Sequence, residues 1–143
     1  MVLTMDEQEQ SPIALIEKYN EEIKKHVSVD EFNMKQVQLD LPAVRHYWVG
    51  RLMFHKQEIN KLKKLRKQAQ QKITEKIEID APVGLNSKTL EDARNNHPVI
   101  YKINEQIAEH ELVVEYLSKI ETNFRSLSYD IKNLIEIIRL ETT

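Results

Sequence analysis

Between Met34 and Ile77 the chain keeps one helical face without a break long enough to turn it. Met34, Val37, Leu41, Val44, Trp48, Leu52, His55, Ile59, Leu62, Ala69, Ile73 and Ile77 recur at the separations of a 3.6-residue period. The pattern predicts a helix from about residue 29 to 79, which at ~1.5 Å per residue is about 75 Å long. A chain of 143 residues cannot enclose such a rod in one compact body. Pro42 removes a backbone donor and clashes with the preceding turn, so a kink or interruption is expected near residues 38–42. The part after Pro42 must project or pack against other chains. With only 2 Gly and 4 Pro, the chain lacks the turn formers of a multi-stranded β fold. The expected class is all-α: a long kinked helical hairpin with an amphipathic C-terminal helix.

The flanking segments fit that plan. Residues 1–10 are polar and acidic and read as a disordered tail. Ser11-Pro12 opens a first helix, with Ser as cap and Pro at the first helical position. Ile13, Ile16 and Ile23, with Tyr19 or Asn20 between them, give it an apolar side to about His26. Ser28 and Glu31 are spaced as a capping box, and Val27 can pack on Phe32 as a hydrophobic staple. Residues 80–87 concentrate the breakers and form the hairpin loop; a short helix is expected over residues 88–95 within a connection spanning 80–98. Residues 11–79 thus form an N-terminal helical region and residues 99–143 a final helix.

That final helix carries a broad stripe. Ile100, Ile103, Ile107, Val114, Leu117, Phe124, Ile131, Ile135 and Ile138 fit two heptad positions, and Val113, Ile120, Leu127 and Leu134 recur beside them. Three positions are more than a two-stranded coiled coil needs. One intramolecular partner would cover part of the stripe, so the residues from Val113 to Ile138 are expected to bury against other subunits.

Little here suggests chemistry on a substrate. Cys is absent, which excludes disulfides, thiolate metal sites and cysteine nucleophiles. The five histidines (26, 46, 55, 97 and 110) include no pair spaced i,i+3 or i,i+4, and His55 and His110 fall on apolar stripes as packed residues. The carboxylate pairs Glu21/Glu22, Glu105/Glu109 and Glu111/Glu115 lie on polar faces. Gly50 and Gly84 stand alone, so no glycine-rich phosphate loop exists. A non-enzyme without metal or cofactor is expected. No apolar run approaches the ~20 residues of a membrane span, and residues 1–10 lack a signal peptide's basic and apolar regions.

Charge is the informative feature. The net charge of −2 hides a segment, residues 45–76, with ten Lys/Arg and two acids. Lys56, Asn60, Lys63, Lys67 and Gln71 line up opposite the apolar stripe, with Lys64 beside them. Such groups have the reach and charge for phosphate oxygens. Lys61 and Lys72 belong to the same basic helix, while Arg66 and Lys76 lie nearer the stripe, where their stems can cover it. A solvated helix face is the plain alternative. Against it, few Glu residues supply i,i+4 partners, and the bases cluster in one segment. Tyr47 and Trp48 are candidates for stacking on bases, although Trp48 falls on the apolar stripe.

The order of these pieces resembles a known family. Glu21-Glu22-Ile23-Lys24-Lys25-His26-Val27, then Val29-Asp30, then Trp48 and the basic helix from Glu58 to Lys67 look like UvsY, the recombination mediators of T-even-type phages. The resemblance spans roughly residues 17–140. It implies a ring-like homo-oligomer, hexameric or heptameric, that binds single-stranded DNA in phage recombination and repair. It further implies help in loading a RecA-like recombinase onto strands covered by a single-stranded-DNA-binding protein, in the cytoplasm of the host cell. The family's Leu-Lys-Ala-Arg run is replaced here by Gln70-Gln71-Lys72-Ile73, where Lys72 is the matching base. The implied DNA contacts are thus Lys56, Lys61, Lys63, Lys64, Arg66, Lys67, Lys72 and Lys76. The competing expectation is a coiled-coil scaffold whose basic helix docks an acidic protein.

Overall fold

A computed structural model describes residues 11–80 and 86–142; the acidic tail and residues 81–85 of the breaker segment lie outside them. Every element among the described residues is helical: α1 (Pro12–Val27), α2 (Met34–Asp80), α3 (Ser87–Asn95) and α4 (Pro98–Thr142). The chain is all-α. Its contacts divide it into two compact units, one of Met1–His55 with Leu112–Thr143 and one of Lys56–Glu111. Each unit therefore takes part of both long helices, a division that runs across the linear segments expected from sequence.

In the first unit, α1 begins as its cap predicts. The Ala14 N–H donates to Ser11 Oγ (3.3 Å), Pro12 follows, and Lys24, Lys25 and His26 in the last turn complement the helix dipole. The buried face is Leu15, Tyr19 and Ile23, with Ile16 partly buried, whereas Ile13 is exposed. The spacing of four selects Leu15 over Ile13 as the first core position. Between α1 and α2 the expected Ser28/Glu31 box and Val27/Phe32 staple do not form, and Phe32 is 90% exposed. Asp30 and Asn33 cap the turn reciprocally instead. Asp30 Oδ1 accepts from the N–H groups of Phe32 and Asn33 (2.8 and 2.9 Å), and Asn33 Oδ1 accepts from the Asp30 N–H (2.8 Å). A shorter, charged acceptor with an amide three residues on performs the same closure.

Helix α2 starts at Met34 and continues through Pro42. A proline inside a helix costs about 3 kcal/mol, and packing on both flanks offsets it. Leu41 and Trp48 are buried in one cluster with Leu15, Tyr19, Ile23, Val113, Leu117 and Phe124, and Val44 packs against it. The Pro42 ring itself faces outward.

That cluster also explains the broad stripe of α4. Two intramolecular helices cover it, because α1 joins α2. Tyr116 donates to Asn20 Oδ1 (3.3 Å), Arg45 donates to Glu121 Oε1 (2.8 Å), and Gln38 donates to Ser128 Oγ (3.3 Å). Val113, Leu117, Phe124 and Ile131 are buried within the single chain. Val114, Ile120, Leu127, Leu134 and Ile138 are half-buried, and Ile135 is exposed. The expected assembly residues thus split into an intramolecular core and a remainder. Exposed apolar area on the same stretch of α4 comes from Tyr129, Ile135, Ile137 and Leu140.

The second unit has its own small core. Ile59 of α2 and Ile100, Ile103 and Ile107 of α4 are buried. Helix α3 is capped by Asn86, whose Oδ1 accepts from the Thr89 N–H (2.8 Å). Helix α4 then opens at His97-Pro98, with His97 Nδ1 accepting from the Val99 N–H (3.2 Å).

Candidate nucleic-acid interface

Eight of the ten bases of the basic segment, from Lys56 to Lys76, lie on the α2 stretch of the second unit. The stripe of Ile59, Leu62, Ala69, Ile73 and Ile77 turns inward to buried or half-buried positions. The opposite side carries the cations outward, as helical periodicity requires. Lys56, Lys61, Lys63, Lys64, Lys67, Lys72 and Lys76 are all exposed. Lys61 pairs with Glu58 one turn back (3.0 Å). Among the described residues, no ion pair engages Lys56, Lys63, Lys64, Lys67, Lys72 or Lys76. Arg66 differs from these lysines. It is half-buried and donates through Nη1 to Asn104 Oδ1 of α4 (2.8 Å), so it ties the unit together. Its proximity to the apolar stripe was legible in the spacing; its partner was not.

Two hollows flank this stretch. One, of about 370 Å³, is lined by Ile73, Lys76, Ile77, Asp80 and His97, so Lys76 lies beside the stripe although its ammonium is exposed. The other, of about 390 Å³, is lined by Lys67, Gln70, Gln71, Thr74, Glu75 and Arg94. Arg94 belongs to α3, in the region read from sequence as connection. No spacing rule links it to Lys67, because only the packing of α3 brings it near α2.

The aromatic candidates are occupied elsewhere. Trp48 is 2% exposed, with edge contacts to Tyr19 (ring centroids 5.3 Å) and Tyr47 (5.2 Å). The Tyr47 ring is covered by the Arg51 guanidinium at 3.6 Å, and its hydroxyl donates to Glu22 Oε2 (3.2 Å). Neither offers a free face to a base. This cluster is structural, as is buried His55, whose Nε2 lies 3.1 Å from the Tyr19 hydroxyl.

His110 in the second unit is half-buried. Burial lowers its pKa below the ordinary 6.5, while the charges of Glu58 and Glu109 act in the opposite direction. Among the described residues, no group of three or more His, Asp and Glu could hold a metal ion. No helix there is long and apolar enough to cross a membrane.

The class these features define is an all-α protein with a solvent-facing cationic helix on a packed helical frame. No family model and no curated protein sequence matches the chain. Two crystal structures of the bacteriophage T4 recombination mediator protein UvsY share its fold. One, in lattice type IV, has a TM-score of 0.77 at 14% identity, covering 87% of this chain and 97% of that one. The other, in lattice type II, has a TM-score of 0.72 at 15% identity, covering 89% and 97%. The resemblance read in the residues is therefore a resemblance of fold over most of the chain.

Proposed function

We propose that this chain is a non-catalytic recombination mediator. It binds single-stranded DNA and helps a RecA-like recombinase load onto strands covered by a single-stranded-DNA-binding protein. The observation that carries the reading is the exposed row of Lys56, Lys63, Lys64 and Lys67 on α2, without an ion pair among the described residues and set on the fold of a phage recombination mediator. One such helix contacts few phosphates and binds weakly. A ring-like homo-oligomer would repeat it at fixed spacing and gain avidity. The exposed apolar side chains Ile135, Ile137 and Leu140 on α4 supply surface for that assembly. The strand would then be held by its phosphates, with no demand on base identity.

The test is a competition between labelled oligo(dT) and a duplex of equal length at moderate salt. The reading expects preference for the single strand, and faster recombinase assembly on protein-covered strands when the chain is added. A chain that binds neither nucleic acid, yet captures an acidic protein through the lysine row, is a docking scaffold instead.

A further inference from the structure

Within the first unit, helix α2 is apolar on two faces. Leu41, Trp48 and His55 are buried on one side. On the other, Leu39, Pro42, His46, Val49 and Met53 are all exposed and follow one another at separations of three and four, so they share a face. Ala43 is exposed beside them, and between Leu41 and His55 no exposed residue is an acid, a lysine or an arginine. A surface helix ordinarily sets charged and polar groups opposite its buried stripe, and 31% of this chain is charged. Contiguous exposed apolar surface of this kind marks an interaction site.

The end of α4, in the same unit, is only partly covered. Gln38 is bonded to Ser128 and Arg45 to Glu121, so α2 and α4 run antiparallel in step. Met34, at the start of α2, therefore stands level with about Lys132 of α4. Beyond that level, Leu134, Ile135, Ile137, Ile138 and Leu140 put apolar groups on every side of α4, the pattern of a helix enclosed by others. Ile135, Ile137 and Leu140 are exposed. The same packing holds α4 to the inner face of α2, so one chain cannot lay its α4 end on its own outer α2 face. A second copy can. Charge fits that pairing. Lys35 and His46 stand eleven residues apart on the outer α2 face, and Asp130 and Glu141 stand eleven apart on α4, about 16 Å along each helix. Lys35, Asp130 and Glu141 have no ion pair among the described residues.

We infer that the outer face of α2, from Lys35 to Met53, receives the C-terminal end of α4 from a second copy of this chain. The inference rests on the assembly in the proposed function and deepens it by naming the surface that α4 meets. Matching the charges sets Ile137 beside Leu39 or Pro42, whichever way the second helix runs. The two surfaces differ, so the contact is heterologous, the kind that makes a ring when its rotation closes.

The experiment is sedimentation velocity of the full chain across a concentration series. Val49→Asp and Met53→Asp each put a charge on the outer α2 face and are expected to weaken self-association at least tenfold, as Ile137→Asp should. Helical circular dichroism and the urea midpoint should be retained, because both positions are exposed. Lys35→Glu should weaken association about threefold, the size of an exposed ion pair. Leu112→Asp, at an exposed apolar position outside both surfaces, is the control and should change nothing. The chain has no cysteine, so Leu39→Cys combined with Ile137→Cys gives a direct reading. A short bismaleimide should join copies of that double variant into covalent multimers and leave each single variant uncoupled. The cross-link needs no charged substitution and decides the matter if an aspartate variant loses its helical signal. If Ile137→Asp dissociates the oligomer while Val49→Asp and Met53→Asp leave it whole and the cross-link fails, the inference is overturned and the assembly stands on another receiving surface. If the wild-type chain sediments as a monomer throughout the series, the assembly and this inference fail together.

Discussion

The two units differ in how far their cations are matched to acids. In the first, five are matched: Lys24 with Glu21, Arg45 and Arg125 with Glu121, Lys119 with Glu115, and Arg139 with Glu136, while Lys18, Lys25, Lys35 and Lys132 have no ion pair among the described residues. Its aromatic rings close on one another and on Arg51. In the second, Lys61 is paired and Arg66 is bonded to Asn104, while the remaining α2 lysines face solvent without an ion pair among the described residues. Among its described residues the buried apolar set is four isoleucines. Surface ion pairs add little stability, so the difference teaches less about folding than about division of labour. The first unit carries the larger core, and the second leaves its α2 lysines exposed.

The comparison is broken most severely by emptying the larger core. Phe124→Ala removes a fully buried ring and is expected to cost about 3–5 kcal/mol, read as a lowered urea midpoint. Ile131→Asp and Leu127→Asp should act in the same direction, because each puts a charge where the chain offers apolar surroundings. Ile137→Asp and Leu140→Asp sharpen the contrast, since both positions are exposed. Helical circular dichroism should be retained while sedimentation velocity shows a smaller species; an unchanged oligomer would remove these residues from the assembly surface. Tyr19→Phe deletes one buried hydroxyl facing His55 Nε2 and should cost about 1 kcal/mol. The smallest effect concerns acid. Burial holds the His110 pKa below 6.5 against the pull of Glu58 and Glu109. The unfolded chain therefore takes up the proton first as pH falls through about 6.5, and stability declines from there until the folded residue titrates. Subtracting the urea-midpoint profile of His110→Asn should isolate that decline. A flat difference would mean that His110 is balanced in both states.

Much of this arrangement was legible because helices report their faces through spacing. The stripe from Met34 to Ile77 is inward-facing at each position read from sequence, down to the half-buried Ala69 and Ile77. The lysine row was legible for the same reason. What escaped depends on contacts distant in sequence. Nothing local shows that α1 would be the second cover for α4, which places Val113, Leu117 and Phe124 in an intramolecular core. The continuity through Pro42 depends on tertiary packing overriding a local penalty, and the Asp30/Asn33 closure competed with an equally plausible Ser28/Glu31 spacing. That Arg94 and Thr74 line one hollow was invisible because twenty residues and a connection separate them.

The central claim is that the basic face of the second unit binds the strand and contributes nothing to the fold. Its most direct test is the triple variant Lys63→Gln, Lys64→Gln, Lys67→Gln, examined by urea unfolding and by a salt titration against oligo(dT). The account predicts an unfolding midpoint within about 0.5 kcal/mol of wild type, an intact oligomer, weaker binding, and a salt slope shallower by about 2, at roughly 0.7 per lost contact. Unchanged affinity and slope would contradict it, leaving the lysine row a solvated surface and the scaffold reading in its place.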